Sequence, residues 1–485
     1  MAWVFLAANW LLEWDMRHKF ANFKTNYLLQ AWLVLFLLHV VGLLWSSNIA
    51  YGLDDLRKKL PLLFIPLVVL TSQPLSDKRY RWVLFSYIMA MLVASIIGLV
   101  RFFTIPDIPY RDIIPFISHI RFSLNLCLGI MLLGWQIIRA RSFQTRLWAS
   151  LLATYFFLYL FLLQSYTGCI ILFVLALVML CHYWKTIENR RLRGAMLTLW
   201  CLVFISVGTL VGFHIHQYYH LIPQAKAPLA MQTANGRPYT HQQDGLIENG
   251  NYVNNYINDE EMWHEWRKRN NRDLYDTSAT GYPIRGALVR YLNAKGLTKD
   301  SAGMAQLNNN EIDAIAKGIA NPVYEKHLSI QRMVYVLCFE YENYRCFNSV
   351  RNFTMLQRFE LWENGWSVFL HSPLIGVGTG DVVDMCHKEL IKSQSDLAGT
   401  KKHTHNQYLT FLITFGLLGF IIIVWMFVRA FRRQHLLRIA PFLIITTITL
   451  ISFITEDTLE TLAGAMFVTL FSTLFASHRL KNNES

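Results

Sequence analysis

Two histidines stand two residues apart directly before a long apolar run, in the stretch KKHTHNQYLTFLITFGLLGF. His403 and His405 carry imidazole groups, the side chains most often used for proton transfer, and Asn406 follows them at the start of the run. Proton transfer, a structural role and a position at the membrane interface all fit this spacing. No metal site is expected, because His-x-His supplies two ligands and no third ligand stands at a suitable spacing.

A second group of chemically active residues lies upstream, in the stretch RFELWENGWSVFLHSPLIGVGTGD. Helical spacing places Arg358 and Trp362 on one face of a helix, which the following proline ends. Gly378 and Gly380 belong to the glycine-rich turn that comes next. The backbone N–H groups of this turn form either an anion-binding nest or a tight packed turn. The turn lacks the Lys-Ser/Thr pair of a P-loop, so nucleotide binding is not expected.

Two further stretches place polar groups at the starts of apolar runs. In FISHIRFSLNL, His119 and Arg121 open a span, where a charge either faces a cavity or partner or reaches the membrane surface. In LLQSYTGCIIL, Ser165 and Tyr166 lie in a short turn between two spans, and a plain polar turn is the favoured interpretation. The predicted topology brings all four stretches to the same side of the membrane.

The composition indicates which elements position these residues. The chain is 54% hydrophobic and 16% charged, whereas soluble domains contain about 25% charged residues. The apolar residues form blocks of roughly 17–25, the length of a membrane-spanning helix, and not the short alternating segments of a membrane barrel. The predicted fold class is therefore an all-α polytopic membrane protein.

The apolar runs predict about eleven spans. These begin near Ala2, Tyr27, Leu60, Trp82, Ser118, Leu147, Gly168, Ala195, His405, Ile439 and Thr461. The third contains Pro61 and Pro66 and is expected to be kinked or re-entrant. The predicted domains are an N-terminal transmembrane bundle at 1–213, one large, mostly helical extracytoplasmic loop at 214–402, and C-terminal spans with a short cytoplasmic tail at 403–485.

The net charge of +13 does not point to a nucleic-acid partner. Residues 214–402 hold 20 basic and 20 acidic side chains, so the positive excess lies in short loops between apolar runs. Alternate short loops are basic, which places 214–402 outside the cytoplasm by the positive-inside rule. If that compartment is oxidising, Cys338 and Cys346 could form a disulfide and leave Cys386 free.

Together these motifs resemble the bacterial O-antigen ligase/polymerase superfamily of membrane glycosyltransferases. The shared pattern is an Arg-x-x-x-Trp helix, a Pro-Leu-x-Gly-x-Gly turn, and a His-Asn pair that opens a span containing Gly-x-x-Gly. The stretches KGLTKDSAGM, EIDAIAKGIAN and KKLPLLFIPL are similar to elements of one branch of the family. The resemblance covers most of the chain and implies a GT-C-like helical membrane fold.

The resemblance implies a cofactor-free, metal-independent and inverting transfer of a glycan. The donor would be an undecaprenyl diphosphate carrier, and the site would lie on the periplasmic face of the inner membrane. By motif match, Arg358 is expected to bind the diphosphate and His405 to be the active-site histidine. Many relatives carry Ser-Arg where this chain has Ser165-Tyr166, so Arg121 is the candidate for the second diphosphate-binding arginine. The residues expected to support the site are Asn406, Trp362, Gly378, Gly380 and His119.

The acceptor distinguishes the members of this superfamily. It is the lipid A–core oligosaccharide in ligases, another lipid-linked repeat in polymerases, and a protein Ser or Thr in protein O-oligosaccharyltransferases. Ligation of O-antigen to lipid A–core is the favoured prediction. A transporter of lipid-linked glycan is the alternative outside the enzymes, although no inverted repeat or pair of broken helices is visible in the sequence.

Overall fold

The computed structural model describes residues 8–13, 16–106, 108–222, 228–243, 245–326, 329–347, 350 and 354–484. The chain divides into two compact units, Met1–Thr198 with Arg358–Ser485, and Leu199–Gln357. The first predicted span, near Ala2, lies largely outside the described residues. The boundaries predicted at 213/214 and 402/403 refer to membrane surfaces, and they stay predictions.

Helices make up most of the described chain. In chain order they are α1 Met16–Thr25, α2 Tyr27–Val41, α3 Ile49–Thr71, α4 Asp77–Thr104, α5 His119–Arg139, α6 Phe143–Leu162, α7 Tyr166–His182, α8 Arg190–Tyr219, α9 Asp259–Arg269, α10 Ile284–Ala294, α11 Ser301–Ala305, α12 Asn309–Ala316, α13 Ile330–Phe347, α14 Thr354–His371, α15 Val382–Lys392, α16 Gln407–Arg433, α17 Ala440–Thr455 and α18 Leu462–Glu484. A short antiparallel hairpin pairs β1 Ile247–Glu248 with β2 Asn251–Tyr252.

Six helices in the described part of the chain are long and apolar enough to cross a membrane. They are α2 with the turn that extends it to Trp45, α4, α5, α6, α8 and α16. Helices α7, α17 and the first part of α18 are apolar but shorter. The chain is therefore a helical, multi-pass membrane protein, while the total of about eleven spans stays a prediction.

Polar residues fix where the apolar helices begin. One such residue precedes each of α2, α4, α5, α7 and α16, and its side chain accepts the backbone N–H three residues further on. These residues are Asn26, Ser76, Ser118, Ser165 and Asn406. A cap of this kind satisfies one free N–H of the first helical turn and stabilises the helix by about 1 kcal/mol.

Helix α3 is longer than the third predicted span. It begins after its cap Asn48 and continues through Pro61 and Pro66. Its first half carries the charged residues of the sequence DDLRKK, so the apolar stretch KLPLLFIPLVVL forms only the second half. The helix packs along α18. Packing of this kind lets a membrane helix keep its course where a proline removes a backbone hydrogen bond.

The second unit has a core of its own. Helices α9, α10 and α12 contribute Trp266, Leu288 and Ile315 to one buried cluster. The stretches DEEMWHEWRKRNN and NNEIDAIAKGIAN, which have helical spacing and polar starts, contain α9 and α12. Asn308 and Glu311 form a capping box at the start of α12, which fixes its first residue.

The disulfide considered between Cys338 and Cys346 is wrong. Both cysteines lie on α13, and their spacing along a helix separates their Cα atoms by about 12 Å. A disulfide requires a Cα separation below about 7 Å. Cys338, Cys346 and Cys386 are all free thiols.

Candidate active site

An acidic loop with the sequence TEDTLE, residues 455–460, connects α17 to α18. Three of its side chains, Glu456, Asp457 and Glu460, are buried. None of the four stretches singled out in the sequence includes this loop. Its carboxylates nevertheless contact the Arg358 helix, the His405 segment and α3, so the loop joins elements that are far apart in the chain.

Glu456 lies between the two residues predicted to be catalytic. The Arg358 Nη2 donates to Glu456 Oε1 at 2.7 Å, and His405 Nδ1 lies 3.8 Å from Glu456 Oε2. Burial disfavours the charged carboxylate, but the contacts with His405 and Arg358 outweigh it and hold the pKa of Glu456 below its ordinary value. Glu456 therefore joins Arg358 and His405 in one group, which we call the Arg–Glu–His cluster.

Asp457 fixes the backbone of the histidine segment. Its carboxylate accepts the His405 N–H at 2.6 Å and the Thr410 hydroxyl at 2.7 Å. His405 has a φ of 52°, a left-handed backbone conformation that residues other than glycine and asparagine rarely adopt. Burial raises the pKa of the Asp457 carboxyl above its ordinary value. The contact holds the His405 backbone while 39% of its side chain stays exposed.

Asn406 and Gln407 connect the histidine segment to α16 and the acidic loop. Asn406 Oδ1 accepts the Leu409 N–H at 3.1 Å and so caps α16. Gln407 Nε2 donates to Glu460 Oε1 at 2.9 Å, and its Oε1 accepts the Leu459 N–H at 2.8 Å. Asn406 therefore fixes the helix start beside His405.

A buried ion cluster lies beside this segment. Lys59 Nζ donates to Asp55 Oδ2 and to Glu460 Oε2, at 2.5 Å in each case. Burial opposes ionisation of Glu460, but Lys59 outweighs it and lowers the pKa of that carboxyl to about 2. We call Lys59, Asp55 and Glu460 the Lys59 triad. His403 Nε2 lies 3.3 Å from the Tyr51 hydroxyl, and both residues line a small cavity with the triad.

The structure brings the two predicted residues of α5 toward the acidic loop. Arg121 interacts electrostatically with Glu456 and Asp457, and His119 interacts with Glu456 and Arg358. The Arg121 Nε is buried and has no hydrogen-bond partner among the described residues. A second arginine thus lies within electrostatic range of the carboxylate that pairs with Arg358.

The glycine-rich turn braces a break in α16. The helix breaks at Gly416, where φ is 66° and ψ is −171°. Val377 and Gly378 donate their N–H groups to the carbonyls of Ile413 and Thr414, at 2.8 and 3.0 Å. The other N–H groups of the turn also have protein acceptors: Gly376 donates to Ser372, Thr379 to Gly42, and Gly380 to the Ser46 hydroxyl. These contacts favour the packed turn over the anion-binding nest.

Two other predicted groups serve in packing. Trp362 lies partly buried against the apolar cluster that includes Ile413, and its indole N–H has no acceptor in the described part of the chain. The Ser165 hydroxyl donates to Ser123 Oγ at 2.7 Å and accepts the Gly168 N–H at 3.2 Å. The turn around Ser165 is therefore tied to α5 and α7, which supports its interpretation as a plain polar turn.

The family of the chain follows from the segment that carries these motifs. The family model described as O-antigen ligase matches residues 303–424, which include Arg358, the glycine-rich turn and His405. This segment is similar to the O-antigen ligase family, as the motifs predicted. The match and the apolar helices together support a glycan-processing enzyme in the membrane. No curated protein matches the chain.

Much of the candidate site lies outside the segment that matches the O-antigen ligase model. The matched segment ends before the acidic loop, and Lys59 and Arg121 precede it. A motif search along the chain therefore misses Glu456, Asp457 and the Lys59 triad. One usable signal was present: ionisable residues beside apolar runs are costly in a membrane protein and mark functional sites. The stretches DDLRKKLP and TEDTLE both show this pattern.

Proposed function

We propose that this chain transfers a glycan from undecaprenyl diphosphate to an acceptor hydroxyl, and that the reaction ligates O-antigen to lipid A–core. The observation that carries the proposal is the contact of Glu456 with both Arg358 and His405. It combines a cation suited to a phosphate group with a polarised imidazole. The match to the O-antigen ligase model supports glycan ligation, and in this proposal the site faces the periplasm from the inner membrane.

In the proposed mechanism, arginine neutralises the leaving group. Arg358 binds the diphosphate, with Arg121 as the second arginine, because a guanidinium stays protonated and its planar fork matches phosphate oxygens. The acceptor oxygen attacks the anomeric carbon from the face opposite the diphosphate. The bond to the diphosphate oxygen breaks, and its electron pair leaves with the diphosphate. This single displacement inverts the configuration and uses no metal ion.

His405 takes the proton of the acceptor hydroxyl in this mechanism. Glu456 lies beside Nδ1, so Nε2 is the nitrogen that accepts the proton. The carboxylate then stabilises the imidazolium that forms. A positioned general base contributes roughly 10²- to 10⁴-fold to a rate. Asp457 maintains the left-handed backbone that presents the ring.

Replacing Glu456 with glutamine tests the charge beside His405. Glu456→Gln is expected to lower kcat by roughly 10-fold or more, a part of the general-base contribution. Glutamine keeps a hydrogen-bond acceptor for Arg358 but loses the negative charge. Purified protein with an undecaprenyl diphosphate-linked glycan gives the measurement. Glu363→Gln, at an exposed carboxylate on the Arg358 helix, is the matched control. A wild-type kcat in Glu456→Gln would remove Glu456 from the mechanism.

A deletion strain tests the acceptor. We expect lipid A–core without O-antigen, together with long polymer that stays on its carrier. The wild-type gene should restore ligation, and an Arg358→Ala gene should not. Surface glycan limited to one repeat would indicate a polymerase, and loss of glycan from proteins alone would indicate a protein O-oligosaccharyltransferase. Carrier-linked glycan retained in the cytoplasmic leaflet would indicate a transporter. Each of these three outcomes would overturn ligation.

A further inference from the structure

An apolar stripe is exposed along α14 and the turn that follows it. Its five large side chains are each more than half exposed. They are Phe359, Trp366, Leu370, Leu374 and Ile375. Spacings of seven and four residues place the three helical members on one face of α14. Val368 on the opposite face and Phe369 at the edge of the stripe pack on α16, since they share a buried cluster with Leu409 and Ile413.

The turn at the end of the stripe contacts α16 about ten residues after the start of that helix. The Leu417 N–H donates to the Pro373 carbonyl at 2.8 Å, and the Leu418 N–H donates to the Leu374 carbonyl at 3.1 Å. Helix α16 begins at Gln407, so these contacts lie about 15 Å along its axis. The turn therefore reaches the third helical turn of a membrane-spanning helix.

The length of α16 gives the depth of this contact in a bilayer. Arg429 is the first basic residue at the far end of α16, and Leu417 lies about 18 Å before it along the axis. A hydrocarbon core is about 30 Å thick. With Arg429 at one boundary, the turn lies about 10 Å inside the opposite boundary.

The broken backbone of α16 fits this depth. A membrane helix that breaks inside the hydrocarbon core exposes N–H and C=O groups, which must be satisfied by protein. The break at Gly416 is satisfied by the turn, through four backbone hydrogen bonds to Ile413, Thr414, Leu417 and Leu418. A turn in water above the membrane could not perform this function.

The stripe also continues the lipid-facing surface of α16. Leu418, Ile421, Ile422 and Trp425 are exposed along that helix. The hydrogen bond from Leu418 to Leu374 joins the two surfaces. A membrane-spanning helix exposes such a face to acyl chains, and the adjoining stripe presents the same chemistry at the same depth.

We propose that α14 and its turn form a re-entrant segment, and that phospholipid acyl chains cover the stripe. The segment enters the leaflet at the α16 N-terminus, descends beside the first three turns of α16, and returns through α15. Arg358 then stands at the membrane surface, and Phe359 begins the part of α14 that contacts lipid. This inference rests on packing and depth and is independent of the glycan or its acceptor.

Photo-cross-linking in a bilayer tests the proposal. Full-length protein with p-benzoylphenylalanine at position 374 or 370 is reconstituted with phosphatidylethanolamine that carries tritiated acyl chains. Both variants should take up label on irradiation as strongly as a variant labelled at position 418. The control is position 392, at the exposed end of α15, which should take up several-fold less. Labelling of 374 and 370 at the level of 392, or cross-linked dimers in place of lipid adducts, would overturn the proposal.

Discussion

Replacing His405 with asparagine is expected to lower the rate of glycan transfer by roughly 10²- to 10⁴-fold, the contribution of a positioned general base. Asparagine is the informative substitution because His405 has a φ of 52°, and asparagine tolerates the left-handed region better than most residues. The Asp457 contact to the backbone N–H at position 405 should survive. The loss can then be assigned to the imidazole. The measurement is kcat with a lipid-linked glycan donor and purified acceptor.

Two controls separate this loss from damage to the fold. His405→Asn should unfold at nearly the same denaturant concentration as the wild type, because its backbone contacts are kept. His371→Asn changes another exposed histidine, at the end of α14, and should leave kcat unchanged. Transfer within a few-fold of wild type in His405→Asn would contradict the base role and leave His405 as a hydrogen-bond donor to the diphosphate.

The parts of the site that were predictable are those held in short continuous motifs. Arg358 and His405 could be chosen as candidates because each stands in a pattern of neighbours with fixed spacing. The glycine-rich turn was recognisable as a turn. Its function was not, because its hydrogen-bond acceptors come from the break at Gly416 and from Gly42. The sequence of a turn does not predict which distant carbonyls will accept hydrogen bonds from its N–H groups.

Glu456 and Asp457 were not predictable for a related reason. They stand about fifty residues after His405 in the sequence, beyond the reach of helical periodicity, which relates positions a few turns apart. Their contacts depend on how α16, α17 and α18 pack. His403 is a residue to which sequence reasoning gave too little weight. The sequence assigns it no role, yet it lies against Tyr51 and lines the cavity of the Lys59 triad.

Replacing Lys59 with methionine is expected to destabilise the protein by about 3–5 kcal/mol, the cost of breaking a buried ion pair by removing one partner. Methionine matches the length of the side chain but leaves Asp55 and Glu460 as adjacent buried carboxylates. Lys59 exposes only 2% of its side chain, so water cannot replace the lost cation. Unfolding by SDS titration in mixed micelles, followed by tryptophan fluorescence, gives the difference in free energy.

The adjacent lysine supplies the matched control. Lys58 pairs with Asp54 at 2.7 Å, but both side chains are more than a third exposed. Lys58→Met should therefore change the unfolding free energy by about 1 kcal/mol or less, as expected for an exposed pair. Equal effects of the two substitutions would show that burial of the triad does not govern its contribution.

The pH dependence of stability shows whether the triad stabilises the protein through its charges or only through packing. The pKa of Glu460 is lowered from 4.5 to about 2 in the folded protein. A lowered carboxyl pKa means that the stabilising interaction is fully present above pH 4.5 and is lost as the pH falls toward 2. The contribution of Glu460 to wild-type stability should decline across that interval, whereas burial raises the pKa of Asp55 and gives that carboxyl the opposite trend. Lys59→Met should show the opposite trend, because protonation neutralises carboxylates that no longer have a cation.

Replacing Asp55 with asparagine and Glu460 with glutamine in the Lys59→Met chain should recover much of the lost stability, since neutral buried groups do not need Lys59. If the triple variant is no more stable than Lys59→Met, the loss comes from packing around residue 59 and not from unpaired charge.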